Sequence, residues 1–127
     1  MKYKIAAIQM SVIPGEKEEN EKKAMQFLDE AASSGVKAAC LPEYFLQGPP
    51  HKDQTMEEVR AFAEAIPGPT ISRFCEKAAK LGMFIVAGSI IELKDDQLYN
   101  TSVLIDSHGE IVGSYQKAHP EDAPAKH

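Results

Sequence analysis

Cys40-Leu41-Pro42-Glu43-Tyr44-Phe45 decides how the rest of the chain is read. The run Val36 to Leu41 has a strand pattern and ends at Pro42, which cannot donate to a ladder. Glu43 then stands just past the carboxyl end of a strand, with Tyr44, Phe45 and the breaker Gly48-Pro49-Pro50 behind it. Ligands of α/β sheets bind at that edge. A carboxylate walled by aromatics there is placed to act as a general base. A solvated turn glutamate explains the hexapeptide alone at least as well, so the weight falls on the surrounding chain.

Upstream, Tyr3 to Met10 is an apolar run that reads as a buried strand. Pro14-Gly15 breaks it. Glu16 to Ser34 reads as a helix with the stripe Ala24, Phe27, Leu28, Ala31 and Ala32, stopped by Gly35. Downstream, Met56 to Ala65 is a short helix ended by Pro67-Gly68-Pro69. Thr70 is expected to cap a helix over Ile71 to Leu81, with Phe74, Cys75 and Ala78 on its apolar face and Gly82 as its stop. Met83 to Leu93, Leu98 to Ile105 and Glu110 to Lys117 read as three strands joined by polar turns. The early βαβ unit implies parallel pairing and the later hairpins antiparallel pairing. The expected fold is therefore α/β, a mixed sheet with helices on one face. It forms one domain over residues 1–117, followed by a tail, 118–127, expected to be disordered or loosely docked.

Composition narrows the function. A net charge of -5 provides no basic stripe for phosphates, which argues against nucleic acid. The opening apolar run is too short for a signal-peptide core, and Met83 to Ile91 is too short to span a bilayer. Cys40 and Cys75 show no metal or redox spacing, so free thiols in a reducing, cytoplasmic setting are expected. Both sit in apolar-patterned segments and read as inert packing residues. His51, His108, His119 and His127 share no ligand spacing, so neither a metal nor a cofactor is expected. No glycine-rich phosphate loop follows the first strand, which weighs against a flavodoxin-like binding domain.

An ordered set of short motifs resembles the amino-terminal part of the nitrilase, or carbon-nitrogen hydrolase, superfamily. Ile5-Ala6-Ala7-Ile8-Gln9-Met10 resembles its opening strand, and Glu19-Asn20 its first helix. Leu41-Pro42-Glu43 resembles the motif of its general base. Ala87-Gly88-Ser89-Ile90, Leu98-Tyr99-Asn100-Thr101 and Tyr115-Gln116-Lys117-Ala118-His119 follow in the family's order. The resemblance implies hydrolysis of an amide, nitrile or carbamoyl group through a cysteine thioester. It assigns Glu43 as base and Lys117 as the lysine that stabilises the oxyanion. It also implies that the fold is about half of an α-β-β-α sandwich.

The resemblance stops short of a full catalytic set. The family's nucleophile lies on a later strand end, yet only ten residues follow Lys117 and none is cysteine; Pro120 stands where leucine is usual. Two expectations follow. One is a truncated hydrolase, inactive alone, whose small amide or nitrile substrate needs the missing half. The other is a non-catalytic interaction module. In either case the strands are apolar at both parities, as in sheets buried on both faces. Helices can cover only one face, so a homodimer packed through the other is expected.

Overall fold

The computed structural model describes residues 2–117. Eight elements follow in order: β1 (Lys4–Ala7), α1 (Lys17–Ser33), β2 (Val36–Cys40), α2 (Met56–Phe62), α3 (Pro69–Leu81), β3 (Phe84–Lys94), β4 (Gln97–Ile105) and β5 (Ile111–Gln116). They make one five-stranded sheet whose spatial order is the chain order, β1-β2-β3-β4-β5. β1, β2 and β3 pair in parallel, while β4 and β5 pair antiparallel. This is the mixed α/β sheet expected from the pattern of elements. The tail at 118–127 lies outside the described residues.

Helices α1 and α3 cover one face. Leu28 and Ala24 from α1 and Phe74, Ile71 and Ala78 from α3 are fully buried against Ile85, Ala87, Val103 and Ile105 of the sheet. Phe45 joins them from the loop after β2, edge-on to Phe74 with ring centroids 5.4 Å apart. Helix α2 belongs to a smaller cluster, in which Val59 packs with Tyr44 and Ile91. Thr55 caps α2, its hydroxyl accepting from the N–H of Glu58 at 3.1 Å. Among the described residues no helix is long and apolar enough to cross a membrane.

Three expectations need correction. β1 is a short edge strand, not a buried one, and its Ile5 is 78% exposed. It lies at the rim of the sheet, and one of its faces has no cover. Thr70 does not cap α3. The helix starts earlier, with Gly68 as cap and Pro69 in its first turn, and the buried Thr70 hydroxyl instead donates to Glu64 at 2.8 Å. Proline is favoured there because its missing N–H would have no partner in any case. The loop over 94–97 is shorter than the reading: Lys94 and Gln97 pair as strand residues. Asp95 and Asp96 both take positive φ, 51° and 63°, the geometry of a tight two-residue hairpin.

The turn between β4 and β5 behaves as its sequence suggested. Gly109 has φ +85°, and a β-carbon there would meet the Cys75 carbonyl at 2.6 Å. Glycine thus provides both the backbone shape and the close approach of this turn to α3.

Candidate active site

The segment that carries Glu43 is pinned from three directions. Leu41 extends the parallel ladder, its N–H donating to Val86 O at 2.9 Å, and Pro42 ends it. Ser89 on β3 then holds the turn. Its N–H donates to Pro42 O at 3.1 Å, its hydroxyl accepts from Tyr44 N–H at 3.2 Å, and its carbonyl accepts from Phe45 N–H at 3.2 Å. Gln47 pairs with β3 as a backbone unit would: its amide oxygen accepts from Ile91 N–H and its amide nitrogen donates to Ile91 O, both at 3.0 Å. Asn20, fully buried on α1, donates to Leu46 O at 2.9 Å and exchanges two bonds with Ile13. Tyr44 takes φ +57° within this clamp, a conformation non-glycine residues rarely adopt. Strain of this kind persists where the surroundings over-determine the chain.

Glu43 and Lys117 meet in one open cleft of about 320 Å³, lined also by Gly88, Ser89, Asn100, Ser102 and Tyr115. Lys117 Nζ lies 4.0 Å from Glu43 Oε2, and both side chains are well exposed to solvent. Their strands are not neighbours, because β3 and β4 lie between β2 and β5. The Ser89 clamp carries Glu43 across that gap. Asn100 on β4 links the pair. Its side-chain amide donates to Glu43 Oε2 at 2.8 Å, while its backbone carbonyl accepts the N–H of Lys117 at 2.9 Å. On the helix-covered side beneath the cleft, buried Glu92 accepts from Thr101 at 2.7 Å and from Gln116 at 3.2 Å, tying β3, β4 and β5 together.

The other candidates lie elsewhere. Tyr44 and Phe45 do not wall Glu43: both are buried beneath the loop, and the aromatic side chain in the cleft is Tyr115. Neither thiol lines the cleft. Cys75 is partly buried on α3, and burial, then the nearby carboxylates of Glu110, Asp106 and Glu76, pushes its thiol up toward the protonated, unreactive form. Cys40, read from the sequence as a packing residue, is exposed on the uncovered face of β2. His51 and His108 sit in an exposed loop and turn, and among the described residues no cluster of His, Cys, Asp and Glu could hold a metal. His119 and His127 lie outside the described residues.

Sequence reasoning quoted Asn20, Ser89 and Asn100 only as parts of motifs, and missed Gln47. The available signal was a polar residue at a position whose neighbours are core. Such groups are buried only when hydrogen-bonded.

The comparisons with known proteins bear on the family and the fold. Residues 4–127 match the carbon-nitrogen hydrolase family. Nitrilase homolog 2 of Dictyostelium discoideum is 34% identical over 119 residues, covering 92% of this chain and 34% of that protein. Omega-amidase NIT2 of Homo sapiens is 32% identical over 126 residues, covering 98% of this chain and 44% of that protein. Among solved structures, Saccharomyces cerevisiae Nit3, of the nitrilase superfamily, superposes with TM-score 0.79 at 26% identity, over 98% of this chain and 49% of its own. An amidase from Nesterenkonia sp. gives TM-score 0.73 at 25% identity, with the same coverage. The chain thus spans less than half the length of these relatives. With the fold, the motif order and the match over residues 4–127 in agreement, this chain belongs to the carbon-nitrogen hydrolase family.

Proposed function

We propose that this chain carries the acid–base and oxyanion part of a site that hydrolyses small amides, nitriles or carbamoyl compounds, and that it is inactive alone. The observation that carries this reading is the meeting of Glu43 and Lys117 in one cleft, bridged by Asn100. In the completed reaction a thiol loses its proton to Glu43 and its sulfur attacks the substrate carbon. Lys117 offers its ammonium to the oxygen, or nitrile nitrogen, that gains charge. With an amide, Glu43 returns the proton to the leaving amine; it then takes a proton from the water that releases the acid and restores the thiol. The omega-amidase relatives favour an amide as substrate. The thiol must come from outside residues 1–127, since neither cysteine lines the cleft.

Ammonia release from a panel of small amides, nitriles and N-carbamoyl compounds tests this. The expected result for the chain alone is the uncatalysed rate. Turnover that disappears in Cys40→Ala would overturn the assignment. Joined to the carboxyl-terminal half of the Nesterenkonia amidase, the chain is expected to gain activity that Glu43→Gln and Lys117→Ala each lower by about a thousandfold or more.

A second reading is a non-catalytic module that self-associates. The observation favouring it is the uncovered apolar face of the sheet, where Ile5 is 78% and Phe84 42% exposed.

A further inference from the structure

Buried side-chain amides of this chain fall into two kinds. Asn20 and Gln47 use both ends. Asn20 accepts from Ile13 N–H and donates to Ile13 O and Leu46 O, and Gln47 bonds Ile91 in both directions. Asn100, 5% exposed on β4, makes one side-chain bond, its Nδ2 donating to Glu43 Oε2 at 2.8 Å. Its Oδ1 is buried and has no partner among the described residues. A buried acceptor left unpaired is costly, yet turning the amide over would set Oδ1 against a carboxylate oxygen, acceptor against acceptor. Asn20 and Gln47 are bonded as scaffold amides are. Asn100 serves the scaffold poorly, and its one side-chain bond goes to Glu43.

The geometry points to Asn100 as a positioning residue that assigns separate tasks to the two oxygens of Glu43, an inference that rests on the hydrolytic reading above. Asn100 Nδ2 bonds Oε2, and Lys117 Nζ lies 4.0 Å from that same oxygen. Oε1 has no hydrogen bond among the described residues, on a side chain that is 53% exposed. It is therefore the oxygen that takes the proton. As the S–H bond of the attacking thiol breaks, its electron pair stays on sulfur and the proton joins Oε1. The carboxylate becomes a neutral acid whose carbonyl oxygen is Oε2. The amide N–H still has an acceptor there, so the bond from Asn100 survives the transfer. It keeps Oε1 aimed while the proton passes on to the leaving amine. An amide neither gains nor loses a proton near neutral pH, so it holds the base without competing for its proton. Lys117 is tied separately, its N–H donating to the Asn100 carbonyl at 2.9 Å, and a side-chain change leaves that bond in place.

The contact is tested on the full chain by heteronuclear NMR. The side-chain amide signals of Asn100 are expected to shift with pH at the same midpoint as the Glu43 carboxyl carbon, and to lose that midpoint in Glu43→Gln. Amide signals indifferent to Glu43 would overturn the proposal. This measurement needs no variant of Asn100, so it decides the contact whether or not such variants fold. The task is tested in the hybrid with the carboxyl-terminal half of the Nesterenkonia amidase. Asn100→Ala is expected to lower kcat about ten- to a hundredfold, as misaimed reacting groups do, with KM changed by about twofold or less. Asn100→Asp keeps the size of the side chain but puts an acceptor where the donor was, and is expected to lose at least as much. Recovery of kcat in Asn100→Asp would mean that the side chain only fills space, and would overturn the proposal. So would a loss confined to KM. A hybrid inactive with Asn100 in place would overturn the hydrolytic reading, whereas an active hybrid whose kcat is unchanged in Asn100→Ala would overturn this proposal alone.

Discussion

Two adjacent rows of residues cross the same four strands, β1 to β4, and meet opposite fates. Ala6, Ala39, Ile85 and Ile105 lie in register beneath the helices, and the last three are at most 2% exposed. One residue along each strand, Ala7, Cys40, Val86 and Leu104 are in register on the other face, with Cys40 and Leu104 exposed. Strand alternation separates the rows, but composition does not: both are apolar. A sheet with one wet face carries polar residues on that face, as antiparallel sheets with one solvated side do. Here the second row has the chemistry of a core without the cover of one. Its sequence is matched to burial that a single copy of residues 2–117 does not provide.

Paired substitutions test this contrast. Phe74→Ala, beneath the helices, removes a fully buried ring and the partner of Phe45, and is expected to cost about 3–5 kcal/mol. Phe84→Ala on the open face is expected to cost about 1 kcal/mol or less at concentrations where the chain is monomeric. Urea midpoints measured side by side decide it. Equal losses would mean that the two rows do not differ in burial.

Asn20→Ala carries the same comparison into the loops. It removes three hydrogen bonds that hold Ile13 and Leu46, and an expected loss of about 2–3 kcal/mol falls between those two values. A loss below about 0.5 kcal/mol would show that water replaces the amide there.

The smallest effect is one of pH. Asp106 accepts the N–H groups of Glu110 and His108 at 2.9 Å each. The bond from Glu110 is the main cause holding its carboxyl below the usual 3.8. A depressed carboxylate stabilises the fold fully above its unfolded value and loses that contribution as pH falls through the folded one. The window therefore lies below about pH 4. The drop in urea midpoint from neutral pH into that window is expected to be smaller in Asp106→Asn. An equal drop in both proteins would remove Asp106 from the acid response.

The covered row and its helices were legible in the sequence because they obey short-range periodicity. The stripe Ala24, Phe27, Leu28 and the strand pattern of Val36 to Leu41 require only local spacing. The order of motifs placed Glu43 and Lys117 at carboxyl ends of strands, where they are found. What holds them together was not legible. Asn100 reaches Glu43 across 57 positions and Gln47 reaches Ile91 across 44. No local pattern encodes partners that distant. Tyr44 and Phe45 were misplaced for a related reason. The turn at Tyr44, with φ +57°, directs both rings inward, and aromatic composition alone does not reveal that direction.

Asn100 acts as the gauge that sets the spacing of the charged pair. A twisted sheet bends, and every intervening strand adds its own error to the distance between β2 and β5. Glu43 and Lys117 escape most of that accumulated error. The carboxylate of Glu43 is held by the side-chain amide of Asn100 and the backbone of Lys117 by the carbonyl of the same residue, so both are referred to a single origin. Replacing the Asn100 side chain would release Glu43 from that reference while the backbone bond to Lys117 stays.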